Sequence, residues 1–198
     1  DTKKEFPHRY LNLFSDIGPL ELKTLLDVWP HVELKRKLSL FEGLESLVEG
    51  DTLVSFDDFA RPLLNDPEAV VRMRALRQLI ECEDEKIIPT YLNMLKHDAD
   101  AEVRAQAATN LGFFVAQGEL EEISDETYSE VQAGLLESAR GEDATRVRRH
   151  ALEALEESLF EHRVVSIHEQ RLALIQNGDD APFIRNIEVG TRTESICL

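Results

Sequence analysis

Cysteine is almost missing from this chain. Cys82 and Cys197 are the only two, far apart in sequence and in no CxxC or Cys/His spacing. A disulfide framework and a zinc site of the usual spacings are thereby excluded, and two free thiols in a reducing, cytoplasmic setting are expected. Basic residues are also scarce, with 22 Lys and Arg against 39 Asp and Glu and a formal charge of −17. Nucleic acid and anionic membranes are poor partners for such a chain, since both recruit clustered Lys and Arg. No run approaches the roughly 18 apolar residues that a membrane helix requires. No signal-peptide pattern opens the chain, although it begins at Asp1 without a Met. A Gly-rich phosphate loop, a nucleophile elbow and an HExxH pair are all lacking, so no catalytic residue, cofactor or metal ligand is assigned from motifs.

What the chain does have is a pattern that recurs. Asp98, Val103-Arg104, Ala107 and Leu111 share their offsets with Asp66, Val71-Arg72, Ala75 and Leu79 upstream. They share them again with Glu142, Val147-Arg148, Ala151 and Leu155 downstream. Three copies with matched positions mark a repeat protein. With each Val at zero on a helix, the positions four, five and eight residues on fall at about 40°, 140° and 80°. Ala75, Leu76 and Leu79, Ala107, Ala108 and Leu111, and Ala151, Leu152 and Leu155 therefore form one apolar arc, as a helix burying one face requires. The arginine falls inside that arc, where a bare charge is costly. Arg72, Arg104 and Arg148 are thus expected to pair with Asp66, Asp98 and Glu142, within a repeat or with the next, as a structural ladder.

The remaining segments divide the chain as follows. Residues 1–52 read as an N-terminal cap and a degenerate repeat. There Phe6–Phe14 is a short apolar turn or helix, and Arg36 stands before Ser39 and Leu40 as Arg72 does before Ala75 and Leu76. Residues 53–158 carry the clear repeats. Pro62 should kink or shorten its helix, and Asp66-Pro67 reads as a helix start. Helix 101–115 is followed by a longer connection over 116–125, and this linker and its flanks are acidic, with Glu119, Glu121, Glu122, Asp125, Glu126 and Glu130. Residues 159–190 suggest a partial or capping repeat, and 191–198 a loose tail. The whole of 1–198 is expected to be one elongated unit.

The Asp-turn followed by Val-Arg-x-x-Ala-x-x-x-Leu-Gly, complete only where Gly112 closes the central copy, resembles the second helix of a HEAT repeat. More narrowly, the chain is similar to bacterial HEAT-repeat proteins for which the family supplies no chemistry. The resemblance implies an all-α solenoid of about five stacked antiparallel helix pairs. It also implies a concave groove lined by the second helices. Positions three and six residues after each Val lie at about 300° and 240°, opposite the apolar arc. They are Arg74 and Arg77, Gln106 and Thr109, and His150 and Glu153, which become the candidate groove residues, with Phe113 as an aromatic point beside them. The expected function is a scaffold or adaptor that binds a protein or an extended peptide, basic in character where the acidic linker contributes. Two other readings stay open. Some HEAT-like proteins are enzymes, either di-iron hydroxylases with several His-Glu dipeptides or lyases. Here one such dipeptide, His168-Glu169, occurs, and one cannot supply two metals. The chain could also be a structural fragment of a larger assembly.

Overall fold

The structure, a computed structural model, describes residues 6–50 and 53–156. The chain divides after Phe160 into two units, and the described residues belong to the first, Asp1–Phe160. The repeat expected at 159–190, the tail at 191–198, the His168-Glu169 dipeptide and Cys197 lie outside the described residues.

Among the described residues there are eight α-helices and no strand. They are α1 (Pro19–Val28), α2 (Leu34–Gly50), α3 (Asp57–Leu63), α4 (Ala69–Gln78), α5 (Ile88–His97), α6 (Ala101–Glu119), α7 (Asp125–Arg140) and α8 (Thr145–Glu156). Local chemistry sets their starts. Pro19 and Pro89 occupy the first turns of α1 and α5, where a missing N–H costs nothing. Asp100 accepts the N–H groups of Glu102 and Val103 at the head of α6, and Ser124 accepts that of Thr127 at the head of α7. Pro62 sits in the last turn of α3, which is short as expected.

The helices pack in two layers. First helices pair with second helices as α3 with α4, α5 with α6 and α7 with α8, while α2, α4, α6 and α8 follow one another side by side and α5 lies on α7. The arc read from the repeat is the core. Val71, Ala75, Leu76, Val103, Ala107, Ala108, Leu111, Val147 and Ala151 have no exposed surface. The first layer begins irregularly. A 3-10 segment, His8–Phe14, lies on α2, and a Cβ at Gly43 would run into Leu11. Phe14, Trp29 and Phe41 then surround Phe59 with ring centroids 5.1–5.7 Å away. This aromatic plug closes the end of the core, whereas α1 buries none of its residues completely.

Polar interlocks hold the repeats together, and the residues differ from expectation at four points. Arg72 grips Asp98 through two bonds of 2.8 and 2.7 Å, and Arg104 grips Asp143 through two of 2.7 and 2.5 Å. Each arginine thus reaches the loop before the next second helix. Its remaining nitrogen donates to the carbonyl oxygen of its own loop, Arg72 to Asp66 and Arg104 to Asp98. The third acid is therefore Asp143 and not Glu142, which is exposed. That loop is one residue shorter, so alignment on Val147 places the acid one position early.

The first rung is Lys37 and not Arg36. Lys37 is the fourth residue of α2, as Arg72, Arg104 and Arg148 are of α4, α6 and α8. Its ammonium bonds Asp66 at 3.0 Å, with the side chains only 6% and 1% exposed. Trp29 donates its indole N–H to the same carboxylate at 2.6 Å and lies under the lysine. Arg36 instead covers the Phe6 ring. Counted from Lys37, the buried Leu40, Phe41 and Leu44 take the places of Ala75, Leu76 and Leu79. Asp66 is not the helix cap either: α4 begins at Ala69, and the Asp66 carboxylate accepts the Glu68 N–H inside the turn.

The connection after α6 is the fourth difference. The helix runs to Glu119, so the expected long linker is a five-residue turn, and the extra residues lengthen α6 and α7. Gly118 makes this possible, because a Cβ there would run into the Tyr128 ring of α7.

Candidate functional site

The candidate residues sit on α4, α6 and α8, three helices that lie against one another in sequence. The structure gives each a definite neighbour or none. Arg74, expected to be exposed, is only 20% exposed and bonds Glu45 of α2 at 2.5 Å, with Glu42 at 3.9 Å. The period of one helix cannot show a neighbour from the preceding repeat that leans over it. Arg77 is exposed and has no ion-pair partner among the described residues. Gln106 is half-buried and donates to the side chain of Asn110 at 3.0 Å. Thr109 and His150 bridge α6 and α8, the hydroxyl 2.8 Å from His150 Nδ1. Glu153 lies 3.5 Å from Arg149 and 3.9 Å from His150. Burial holds His150 below its ordinary range against the pull of Glu153, so the ring favours its neutral form.

Three contributors escape the sequence pattern. Asn110, 1% exposed, donates to the Leu76 carbonyl of α4 at 2.7 Å and so ties two second helices together. The signal for it is a polar side chain beside Leu111, at the edge of the apolar arc. Glu45 does the same between α2 and α4, and Arg146 pairs with Glu102 between α8 and α6. Phe113 is half-buried, its ring edge-on to Phe114. The face is thus a braced polar surface. Its carboxylates are largely matched by cations of the next helix: Glu45 with Arg74, Glu102 with Arg146.

Other chemistry is thin. Among the described residues no three His, Cys, Asp or Glu side chains come together as a metal would require, and no helix is long and apolar enough to cross a membrane. Cys82 is buried, its thiol pushed up by burial, with Arg61 3.3 Å from the sulfur. Of the acids around the α6–α7 turn, Glu119 accepts the Tyr128 hydroxyl, and Glu121, Glu122, Asp125, Glu126 and Glu130 are exposed.

Paired helices stacked in two layers, with a cation-to-acid interlock from each repeat to the next, define an α-solenoid. The chain belongs to the HEAT-repeat family. The family model described as HEAT repeats matches residues 58–156, half of the chain and the stretch from α3 to the end of α8. No curated protein matches the chain, and no solved structure does.

Proposed function

We propose that the protein is a scaffold or adaptor that holds a protein or an extended peptide against the second-helix face, in a cytoplasmic setting. HEAT-repeat membership supports this reading, since such repeats commonly serve protein interaction. The observation that carries it is the cross-bracing. Glu45 with Arg74, Asn110 with the Leu76 carbonyl and Thr109 with His150 fasten the four second helices α2, α4, α6 and α8 to one another. A partner laid across them meets a preorganised surface and orders little of it on binding. Arg77 on α4, and Gln106 and Phe113 on α6, keep surface for a partner, so two successive repeats contribute. Such spacing suits a segment of chain better than a small molecule.

The test is affinity capture of partners by the full chain and by Arg77→Glu combined with Gln106→Ala, each checked for an unchanged thermal midpoint. Loss of a captured protein on the double change supports the reading. Retention after that change, with loss on neutralising Glu121, Glu122 and Glu126, overturns it in favour of the turn.

A second reading, a unit of a larger assembly, is favoured by the apolar surface of the first fifty-odd residues. Leu13, Leu20 and Leu53 are 68%, 72% and 89% exposed. Isolated exposed leucines are ordinary, but these three fall within the first 53 residues of the sequence, which is the observation this reading rests on. Sedimentation of the full chain against Leu13→Glu with Leu20→Glu decides it. A single monomer boundary for both removes the second reading.

A further inference from the structure

In the first-helix layer, α5 and α7 leave between them a cleft of about 470 Å³ that reaches the loop before α8. Its floor is largely apolar, formed by Leu92, Leu95, Ala133 and Gly134. Gly134 brings the two helices together, since a Cβ there would meet the end of Leu92. The rim is acidic, with Glu130, Glu137 and Glu142 around it and Asp143 at its end. Asp143 is occupied by Arg104. Glu137 holds Lys96 across the mouth at 2.8 and 3.0 Å, but the two side chains are 66% and 55% exposed, and an ion pair that open is weak and readily exchanged. Glu130 and Glu142 have no cationic partner among the described residues. The second-helix face matches most of its carboxylates with cations, whereas this cleft keeps an excess of negative charge over an apolar floor.

We propose that the cleft docks a short basic segment of another protein, one in which an aliphatic side chain is flanked by arginine or lysine. The aliphatic group lies on Leu92, Leu95 and Ala133, where it leaves water. The flanking cations pair with Glu130 and Glu142 and compete with Lys96 for Glu137. An acidic or neutral segment would lie under the same carboxylates with nothing to offset them. A second copy of this chain, at −17, is repelled for the same reason. The site is on the other layer from the second-helix face, so its failure leaves the scaffold reading standing, and the reverse holds too.

The experiment is an amide NMR titration of the full chain with acetyl-arginyl-leucyl-arginine amide, and with the glutamyl analogue as control. Saturable shifts at Leu92, Leu95, Ala133 and Gly134 with the basic peptide alone are expected. Ala133→Arg, which places a guanidinium of the protein's own over the floor at an exposed helical position, should weaken binding by about tenfold or more. Glu130→Gln with Glu142→Gln should weaken it too and adds no bulk, so the pair still reports if Ala133→Arg disturbs folding. Glu126→Gln, outside the cleft, should leave it unchanged. Equal response to both peptides, shifts centred on the α6–α7 turn or the second-helix face, or no saturable shift would each overturn the proposal.

Discussion

At the scale of residues, depth decides what each interlock contributes. The Lys37–Asp66 pair is nearly out of water, while Arg104–Asp143 keeps about a fifth of each side chain exposed. Asp66→Ala leaves a buried ammonium over the Trp29 ring and should cost about 3–5 kcal/mol, the range for breaking a buried pair. Asp143→Ala leaves a guanidinium that can turn to solvent, and about 1–2 kcal/mol is expected. Urea denaturation measures both, and equal losses would show that burial does not set the cost. Acid should act through the same groups. Burial pushes the Asp98 carboxyl up, but Arg72 and the Asp100 N–H outweigh it, leaving it below its ordinary range. The bond from Arg104 does the same for Asp143 against its burial. In the unfolded chain both bind protons near an ordinary pKa of about 3.9. Their contribution is therefore complete above that value and is lost as pH falls through the lower, folded values. Urea midpoints taken from pH 6 downward should decline most steeply below about pH 4, and Asp143→Asn should flatten that decline. A variant with the wild-type slope would remove Asp143 from the account.

At the scale of elements, the end of α6 is the informative case. Glu122 N–H donates to the Gln117 carbonyl and Glu121 N–H to that of Gly118, with Glu121 at a φ of 59°. This is a Schellman closure in which glutamate occupies the left-handed position that glycine usually fills. Glu121→Gly should stabilise by up to about 1 kcal/mol, read from the thermal midpoint. Gly118→Ala should do the reverse, since its methyl meets the Tyr128 ring. Gly50→Ala at the end of α2, where a Cβ meets nothing, should be neutral or better by a few tenths of a kcal/mol. If Gly118→Ala and Gly50→Ala behave alike, helix propensity and not packing rules both sites. The same places show what could be read before the structure was known. Val71, Val103 and Val147 mark the core because helical periodicity is local, and the face carrying Gln106 and His150 follows from the same count. The boundary of α6 is not legible, because a glutamate is no stop signal and the close approach of Gly118 to Tyr128 of α7 is a tertiary contact that local sequence does not show. Lys37 was missed because it differs from the arginine that the other repeats use. The partner of Arg74 was missed because it depends on how α2 is staggered against α4.

At the scale of the molecule, the interlocks should make the repeats unfold together. The single tryptophan, Trp29, is bonded to Asp66 at one end of the described stack and gives a local signal. Far-UV circular dichroism reports all the helices. The two urea curves should coincide in the wild type, as nearest-neighbour coupling in a repeat array requires. They should separate in Arg72→Ala, which cuts the link to Asp98. Coincidence in both proteins would mean that apolar packing alone couples the repeats. The interlock also has a direction. Lys37 precedes Asp66, Arg72 precedes Asp98 and Arg104 precedes Asp143, so a growing chain always presents the cation before its acid emerges from the ribosome. A long, flexible lysine or arginine can wait with its head in water and its stem on the apolar surface. A short aspartate pinned in a tight turn could not. At each of these three rungs the unfinished edge thus carries a positive group that tolerates solvent. The next loop arrives as the missing counter-charge, which makes N-to-C growth the order in which each new repeat has a waiting receiver.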